Sequence, residues 1–265
     1  MENSLLIGLS RQMALQRELD VVANNIANLN TTGFKADGAV FQEFLMPVAR
    51  ADQFPPPDRR LSFVQDRATW HDVSQGTVQQ TGNPLDVAID GDAYLVVQTP
   101  RGERYTRNGA LQVNAAGELV TSAGDRVLGE TGPITFQQQD REIAISQDGT
   151  VSVREGNANT DAIRGRIRLA RFARPQILQK DGASTFAAPA GVAPQVPPAP
   201  QNGAPLGPEN SRIMQGALEK SNVRAVIEMT RMIEVTRTYT QVSNLMQQQG
   251  DLRRTAIERL AEVPA

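Results

Sequence analysis

Apolar residues recur at helical spacing at both ends of the chain and at strand spacing in its middle. Near the N-terminus Leu15, Leu19, Val22, Ile26 and Leu29 follow one another at intervals of four, three, four and three, which is the repeat of a heptad seam on one helix face. Leu6, Leu9 and Met13 continue the stripe upstream, with a shift of phase near residues 13 to 15 that turns the early turns toward a different partner. The helix is predicted to stop around Asn30-Thr31-Thr32-Gly33. Gly33 can take the left-handed C-terminal conformation there without a Cβ penalty, leaving Phe34 to pack back on the last turn. From Ser211 to about Ala261 the chain is free of proline, and Ala225, Met229, Met232, Thr236, Tyr239, Ser243 and Met246 form a second seam. A helix over all of it runs on the order of 70 Å, longer than a small domain needs for its own core.

The middle alternates instead. Residues 38 to 48 hold a short apolar segment broken by Pro47 and then by Pro55-Pro56-Pro57, which reads as a connector. Residues 60 to 82, including Leu61-Ser62-Phe63-Val64, read as an extended arm. Short strands follow at Leu85-Asp86-Val87-Ala88-Ile89 and Tyr94-Leu95-Val96-Val97, and a hairpin is predicted around Asn114-Ala115-Ala116-Gly117. Further strands to Phe172, with Asp148-Gly149 and Arg164-Gly165 as punctuation, suggest a sandwich or open barrel. Residues 187 to 208, dominated by Pro, Ala, Gly and Gln, read as a linker. The reading is therefore an α+β chain. Residues 1–35 give one coiled-coil-like helix and 211–265 the other; 36–84 form a connector and arm, 85–186 a central all-β domain and 187–210 a Pro-rich linker.

Composition narrows the chemistry. The 265 residues are 40% hydrophobic but only 5% aromatic, which suits thin β-layers and helical seams better than one thick core. A net charge of -2 with interspersed signs offers no field for a polyanion, so nucleic acid is not an expected partner. The chain has no cysteine and one histidine, excluding disulfides, thiolate sites and multi-histidine metal sites. His71, flanked by Trp70 and Asp72, is the one candidate histidine base and reads as a surface residue. Asp90-Gly91-Asp92 and Asp148-Gly149-Thr150 lack the alternating oxygen ligands of a calcium loop and read as turns. Phosphate loops and nucleophile elbows do not occur, and the expectation is a chain with no catalytic site, cofactor or metal. The N-terminus lacks the pattern of a cleaved signal peptide, and no apolar run reaches the roughly 18 residues of a membrane span, so no membrane insertion is expected. Arg224, Glu228, Arg231, Glu234 and Arg237 place both signs at helical spacing, either as a solvated face or as pairs across to a neighbour. Heptad spacing by itself leaves two readings open: helices that pair within one chain, or helices that pack against other chains.

Ala23-Asn24-Asn25-Ile26-Ala27-Asn28-Leu29-Asn30-Thr31-Thr32-Gly33-Phe34-Lys35 closely resembles the N-terminal signature of the flagellar basal-body rod and hook family. Gln215-Gly216-Ala217-Leu218-Glu219-Lys220-Ser221-Asn222-Val223, followed by Glu228-Met229-Thr230-Arg231-Met232-Ile233, resembles its C-terminal motif. Asp90-Gly91-Asp92-Ala93-Tyr94-Leu95-Val96-Val97 and Arg104-Tyr105-Thr106-Arg107-Asn108-Gly109 resemble its β-domain segments. Within the family, the opening Met1-Glu2-Asn3-Ser4-Leu5 and Arg11-Gln12-Met13-Ala14 is most similar to proximal-rod members, with distal-rod members next. The resemblance implies a structural subunit exported by the flagellar type III apparatus and assembled in the periplasm with copies of itself and neighbouring rod proteins. It also implies that the terminal helices pack as the inner layer of a helical tube around an export channel. The alternative reading is a secreted β-domain that binds the cell wall. Under the resemblance, the assembly interface comprises Leu15, Leu19, Val22, Asn24, Asn25, Ile26, Asn28, Leu29, Gly33 and Phe34 from the first motif. Leu218, Glu219, Ser221, Asn222, Val223, Met229, Met232, Ile233 and Tyr239 come from the second. Asn24, Asn25 and Asn28 are expected to fix register through side-chain hydrogen bonds.

Overall fold

The computed structural model describes residues 2–46, 61–156, 161–182, 184–195 and 211–261. Pro47, Pro55-Pro56-Pro57 and the greater part of the Pro-rich stretch, 196–208, lie outside the described residues. The chain falls into two compact units, a helical one formed by Met1–Ala27, Asp37–His71 and Arg224–Ala265, and a β one formed by Asn28–Ala36 and Asp72–Val223.

In the helical unit, α1 spans Glu2–Ala27 and α2 spans Ala225–Ala261. The two run antiparallel, because Gly8 lies beside Met246, Gln12 bonds Tyr239, Glu18 pairs with Arg231 and Asn25 bonds Glu228. Gly8 permits the close approach: a Cβ there would sit 3.1 Å from both Cγ and Sδ of Met246. Strand β1 (Asp37–Met46) pairs antiparallel with β2 (Leu61–His71), and both pack on α1. A two-stranded sheet alone is marginal in water, so contact with a helix is what such a ribbon requires. β1 corrects the reading of residues 38 to 48 as a connector. The proline that breaks the apolar run comes only at 47, and a partner strand satisfies the backbone before it.

Among the described residues the β unit holds sixteen strands in chain order. β3 is Val78–Gln80, β4 Val87–Asp90, β5 Tyr94–Thr99, β6 Gly102–Thr106, β7 Leu111–Val113, β8 Leu119–Thr121, β9 Arg126–Gly129 and β10 Gly132–Pro133. β11 is Asp140–Ile145, β12 Thr150–Glu155, β13 Asp161–Arg166, β14 Leu169–Ala170, β15 Gln179–Lys180, β16 Thr185–Ala187, β17 Arg212–Gln215 and β18 Ala217–Glu219. The main sheet has nine strands, ordered β15-β16-β6-β5-β9-β8-β7, with β10 on β9 and β14 on β5. β11-β12-β13 form a separate sheet, and β17 with β4 and β18 with β3 make two-stranded pairs. The predicted hairpin is present as β7 and β8. Asn114 Oδ1 there accepts from the backbone N–H of Ala116 and Glu118, and Gly117 adopts φ +81.

Strand β5 explains how a chain with few aromatics fills two cores. Leu95 and Val97 enter one cluster with Val87, Ile89, Leu119, Val127, Ile134, Val151 and Ile213. Tyr94 and Val96, on the opposite face, enter another with Tyr105, Leu128, Phe172, Leu178 and Phe186. The unbroken apolar run Ala93-Tyr94-Leu95-Val96-Val97 is the mark of a strand covered on both sides. Edge-to-face contacts of Tyr94 with Phe172 and Phe186, at 6.1 and 5.9 Å, and of Tyr105 with Phe172 at 4.7 Å, organise the second cluster.

Three further expectations change. α1 ends at Ala27, so Leu29 lies in the following turn and not on the helix. Residues 212–215 and 217–219 are strands, and α2 begins only at Ala225. Helix formers such as Ala217, Leu218 and Glu219 are overridden because β3 and β4 need backbone partners. The covered line on α2 runs through Ala225, Glu228, Arg231, Val235, Tyr239, Val242 and Met246, and Val235 is its buried centre. Met229, Met232 and Ile233 consequently face away from α1.

The three-stranded sheet carries an acid-sensitive contact. Arg164 Nε donates to Asp140 Oδ2 at 2.8 Å and the backbone N–H of Gln137 donates to the same oxygen at 2.8 Å. The Arg164 hydrogen bond, outweighing burial, holds the Asp140 carboxyl below its ordinary 3.8. A depressed folded value means stability that is complete above 3.8 and lost as pH falls through the lower folded value. An acid titration followed by circular dichroism should therefore show a shallower loss of β signal below that pH in Asp140→Asn, from a less stable starting point. An unchanged acid limb would remove Asp140 from the account.

Candidate functional site

The two terminal motifs meet at one place in the β unit. Asn28–Phe34 forms a turn in which the N–H of Thr31 donates to the carbonyl of Asn28 at 3.2 Å and Thr31 Oγ1 to Asn28 Oδ1 at 3.0 Å. Gly33 lies at φ +67, the left-handed conformation read from the sequence. Its N–H donates to the carbonyl of Glu219 at 2.8 Å, and a Cβ on it would lie 2.3 Å from the backbone carbonyl carbon of Arg107. Thr32 Oγ1 donates to Asn108 Oδ1 at 2.6 Å. Phe34, which the sequence placed against the last helical turn, is buried in the β unit with the Lys180 ammonium 3.7 Å above its ring.

Behind that loop lies a buried charge cluster. Lys35 and Glu219 are wholly enclosed and joined at 2.5 Å, and Lys35 Nζ also donates to the carbonyl of Ser74 at 2.7 Å. The N–H of Gly76 donates to the same oxygen of Glu219 at 2.9 Å, while Arg107 Nη1 reaches the other at 3.3 Å. Arg107 continues to the carbonyls of Ile89 and Gly91 and lies 5.0 Å from the Tyr94 ring centre. Desolvation lowers the Lys35 pKa against the opposing pull of Glu219, and burial raises that of Tyr94. Asn222 completes the join. Its Oδ1 accepts from the N–H of Ala36 at 2.8 Å and its Nδ2 donates to the carbonyls of Asp72 and Ser74 at 2.8 and 3.1 Å. Apart from Arg107 Nε, which is buried without a hydrogen-bond partner, the donors of Lys35 and Arg107 go to backbone or to Glu219, an arrangement that holds chain segments together.

The remaining candidates divide between buried and exposed positions. Leu15, Val22 and Asn25 are buried in the helical unit, Leu19 and Ile26 are half-buried and Asn24 is exposed. Asn25 clamps the start of β1: its Nδ2 donates to the carbonyl of Asp37 at 2.8 Å and its Oδ1 accepts from the N–H of Asp37 at 2.9 Å. Asn28 and Leu29 belong to the turn, and Leu218, Ser221 and Val223 are half-buried along the segment leading to α2. Tyr239 is the accepting partner of Gln12 at 2.9 Å. Arg231 pairs with Glu18 of the same chain at 2.8 Å, so that charge is used internally. His71 is no open surface residue: its ring is largely enclosed, with Nδ1 2.6 Å from Asp37 Oδ1. Among the described residues no cluster of His, Asp and Glu could hold a metal ion, and no helix is long and apolar enough to cross a membrane. Sequence reasoning did not place Lys35, Arg107 or Val235 in the candidate set. The signal available for the first two was a cation inside each of two motifs, Lys35 alone in the first and Arg107 along with Arg104 in the second, with an anion, Glu219, inside the third.

Comparison with known proteins matches the same segments. Residues 5–35 fit the family model "Flagella basal body rod protein", residues 88–153 the D1 domain of flagellar hook protein FlgE/F/G, and residues 214–259 the C-terminal region of flagellar basal body rod FlgEFG proteins. The flagellar basal-body rod protein FlgF of Caulobacter vibrioides is 40% identical over 266 residues, covering 99% of this chain and 100% of that protein. The chain belongs to the flagellar basal-body rod protein family. Its FlgF counterpart in Mesorhizobium japonicum is 34% identical with 98% of each chain covered, and FlgG of Borreliella burgdorferi is 33% identical over 90% of this chain and 91% of that protein. It is a structural, FlgF-like subunit of the flagellar basal body. In this rod subunit the two family segments at the chain ends each contribute both to the helical unit and to the charge cluster of the β unit.

Proposed function

We propose that this rod subunit polymerises with further copies and with neighbouring rod proteins into a helical tube, its terminal helices forming a coiled-coil-like inner layer around an export channel. The observation that carries the reading is the apolar face the helical unit leaves uncovered. Val226, Ile233 and Leu252 on α2 are between 69% and 78% exposed, and Leu6, Leu9 and Met13 on α1 are exposed as well. Covering one such side chain gains about 1.5–3 kcal/mol, so a row of them favours association strongly. Head-to-tail contacts between identical subunits that advance along an axis generate an open helix rather than a ring. A wall of docked helices resists twisting, which is what a drive shaft transmitting torque requires. Delivery through the flagellar type III apparatus without a cleaved signal, and a purely structural, non-enzymatic role in the periplasm, follow from the same reading. Residues 36–84 would then serve as the arm reaching along the tube.

Ile233→Asp tests this directly. The side chain touches little in the single chain, so purified protein should keep its circular dichroism spectrum and unfolding midpoint while cells carrying it lose rod assembly and swimming. Normal motility in both Ile233→Asp and Val226→Asp would remove the helical face from the interface.

A further inference from the structure

Among the described residues Glu219 is the only acidic side chain bonded to Lys35 and Arg107 in the buried cluster, with both carboxylate oxygens engaged. It lies 184 residues beyond Lys35 in the chain and 112 beyond Arg107. Its backbone carbonyl holds Gly33, and its strand, β18, closes on β3. Before residue 219 is available, seating the loop 31–36 would enclose two cations with no carboxylate bonded to either, and an uncompensated buried charge is among the most unfavourable arrangements a fold can contain. Arg107 Nε is already buried without a hydrogen-bond partner, so the cluster has no spare acceptor to take over.

We propose that Glu219 is a chain-completion latch: the N-terminal loop 31–36 docks on the β unit only once β18 has been added, so a chain still being synthesised short of about residue 222 keeps that loop undocked. Three contacts of the loop, Gly33 to the carbonyl of Glu219, Ala36 to Asn222 Oδ1 and Lys35 to Glu219 Oε1, end on residues 219–222 and include the bond that neutralises Lys35; the contacts of Thr32 with Asn108, Lys35 with the carbonyl of Ser74 and Phe34 with Lys180 end on earlier residues and leave that charge uncompensated. The main sheet does not depend on them, since its strands lie between residues 94 and 187. Loop docking is thereby a readout of a nearly complete chain, and a rod subunit that is not complete does not present its N-terminal segment in final form. This reading concerns folding order within one chain and stands whether or not the helical face assembles as proposed above.

The test uses the full chain. In Glu219→Gln the side-chain shape is kept and the charge removed; amide exchange at Gly33, Ala36 and Gly76 should accelerate about tenfold or more, while Val96 and Leu119 in the main sheet stay within about twofold. No change at the loop would overturn the latch. If Glu219→Gln loses the whole β unit, the double variant Lys35→Met with Glu219→Gln decides: removing one stranded cation should recover protection that the single variant lost, and failure to recover overturns the proposal. Refolding of the unmodified chain with pulsed exchange labelling supplies the order. The amides of Gly33 and Ala36 should gain protection together with or after that of Lys220, which bonds the carbonyl of Thr77; protection of the loop ahead of Lys220 overturns the latch.

Discussion

Gly33→Ala is expected to lower the stability of the β unit by several kcal/mol and to abolish swimming, though it adds one methyl group. The backbone there is left-handed, at φ +67, which costs an L side chain about 1–2 kcal/mol. The new Cβ would also lie 2.3 Å from the carbonyl carbon of Arg107 and 2.4 Å from the nitrogen of Asn108. Both are backbone atoms of the segment that carries the cluster arginine, so neither can swing aside like a flexible side-chain tip, and overpacking of this kind adds about 1–3 kcal/mol. Relief requires the loop to lift, which breaks the Gly33 bond to Glu219 and draws Lys35 away from its anion. Urea unfolding of the full chain measures the effect. A midpoint equal to that of the parent would show that the loop is free to shift at no cost.

Asn25→Asp should be the most damaging single-atom-scale change in the helical unit. Asn25 is fully buried and uses both ends of its amide on one residue, donating to the carbonyl of Asp37 and accepting from its N–H. Nδ2 lies in addition 3.3 Å from Glu228 Oε2. A carboxylate in its place keeps the acceptor, loses the donor and faces the Glu228 carboxylate and the Asp37 carbonyl. A lost buried bond leaves its partner unsatisfied at about 1–3 kcal/mol, and like charge in a desolvated place adds to that. The expected result is a lower unfolding midpoint that recovers partly in acid, as the new carboxyl takes up a proton. Asn25→Leu, which carries no charge, should be damaging without that pH dependence. Equal pH profiles for the two variants would exclude the charge repulsion.

Much of this architecture is legible in residue order because its determinants are local. Gly33 ends a helix-stop signal, Asn114 to Gly117 spells a hairpin, and the unbroken apolar run at β5 announces a strand covered on both faces. Other features depend on partners far away in the chain, and local pattern misleads there. Residues 217–219 carry helix formers yet become β18, because among the described residues β3 pairs with no other strand. The second seam reads through Ala225, Met229, Met232, Thr236, Tyr239, Ser243 and Met246, since their four-three spacing invites that reading, and Met229 and Met232 depart from it. Val235 fills the position against α1 because Glu228 and Arg231 are drawn inward by Asn25 and Glu18. Polar contacts thus set the rotation of α2 and leave Met229 and Met232 outside, while Met246 stays beside Gly8. The charge cluster was hidden for a similar reason: its three members sit in three separate motifs, and nothing in the spacing of Lys35, Arg107 and Glu219 shows that they converge.

The chain passes between its two units after Ala27, Ala36, His71 and Val223. That interlacing restricts how such a subunit can be cut or recombined. A contiguous fragment 72–223 would carry the strands of the β unit without the nine residues Asn28–Ala36 that belong to it, and would bury Glu219 without Lys35. Exchange of the β unit between related rod proteins, by evolution or by an engineer, therefore has to move two blocks together: the strand-bearing segment and the short loop that precedes β1.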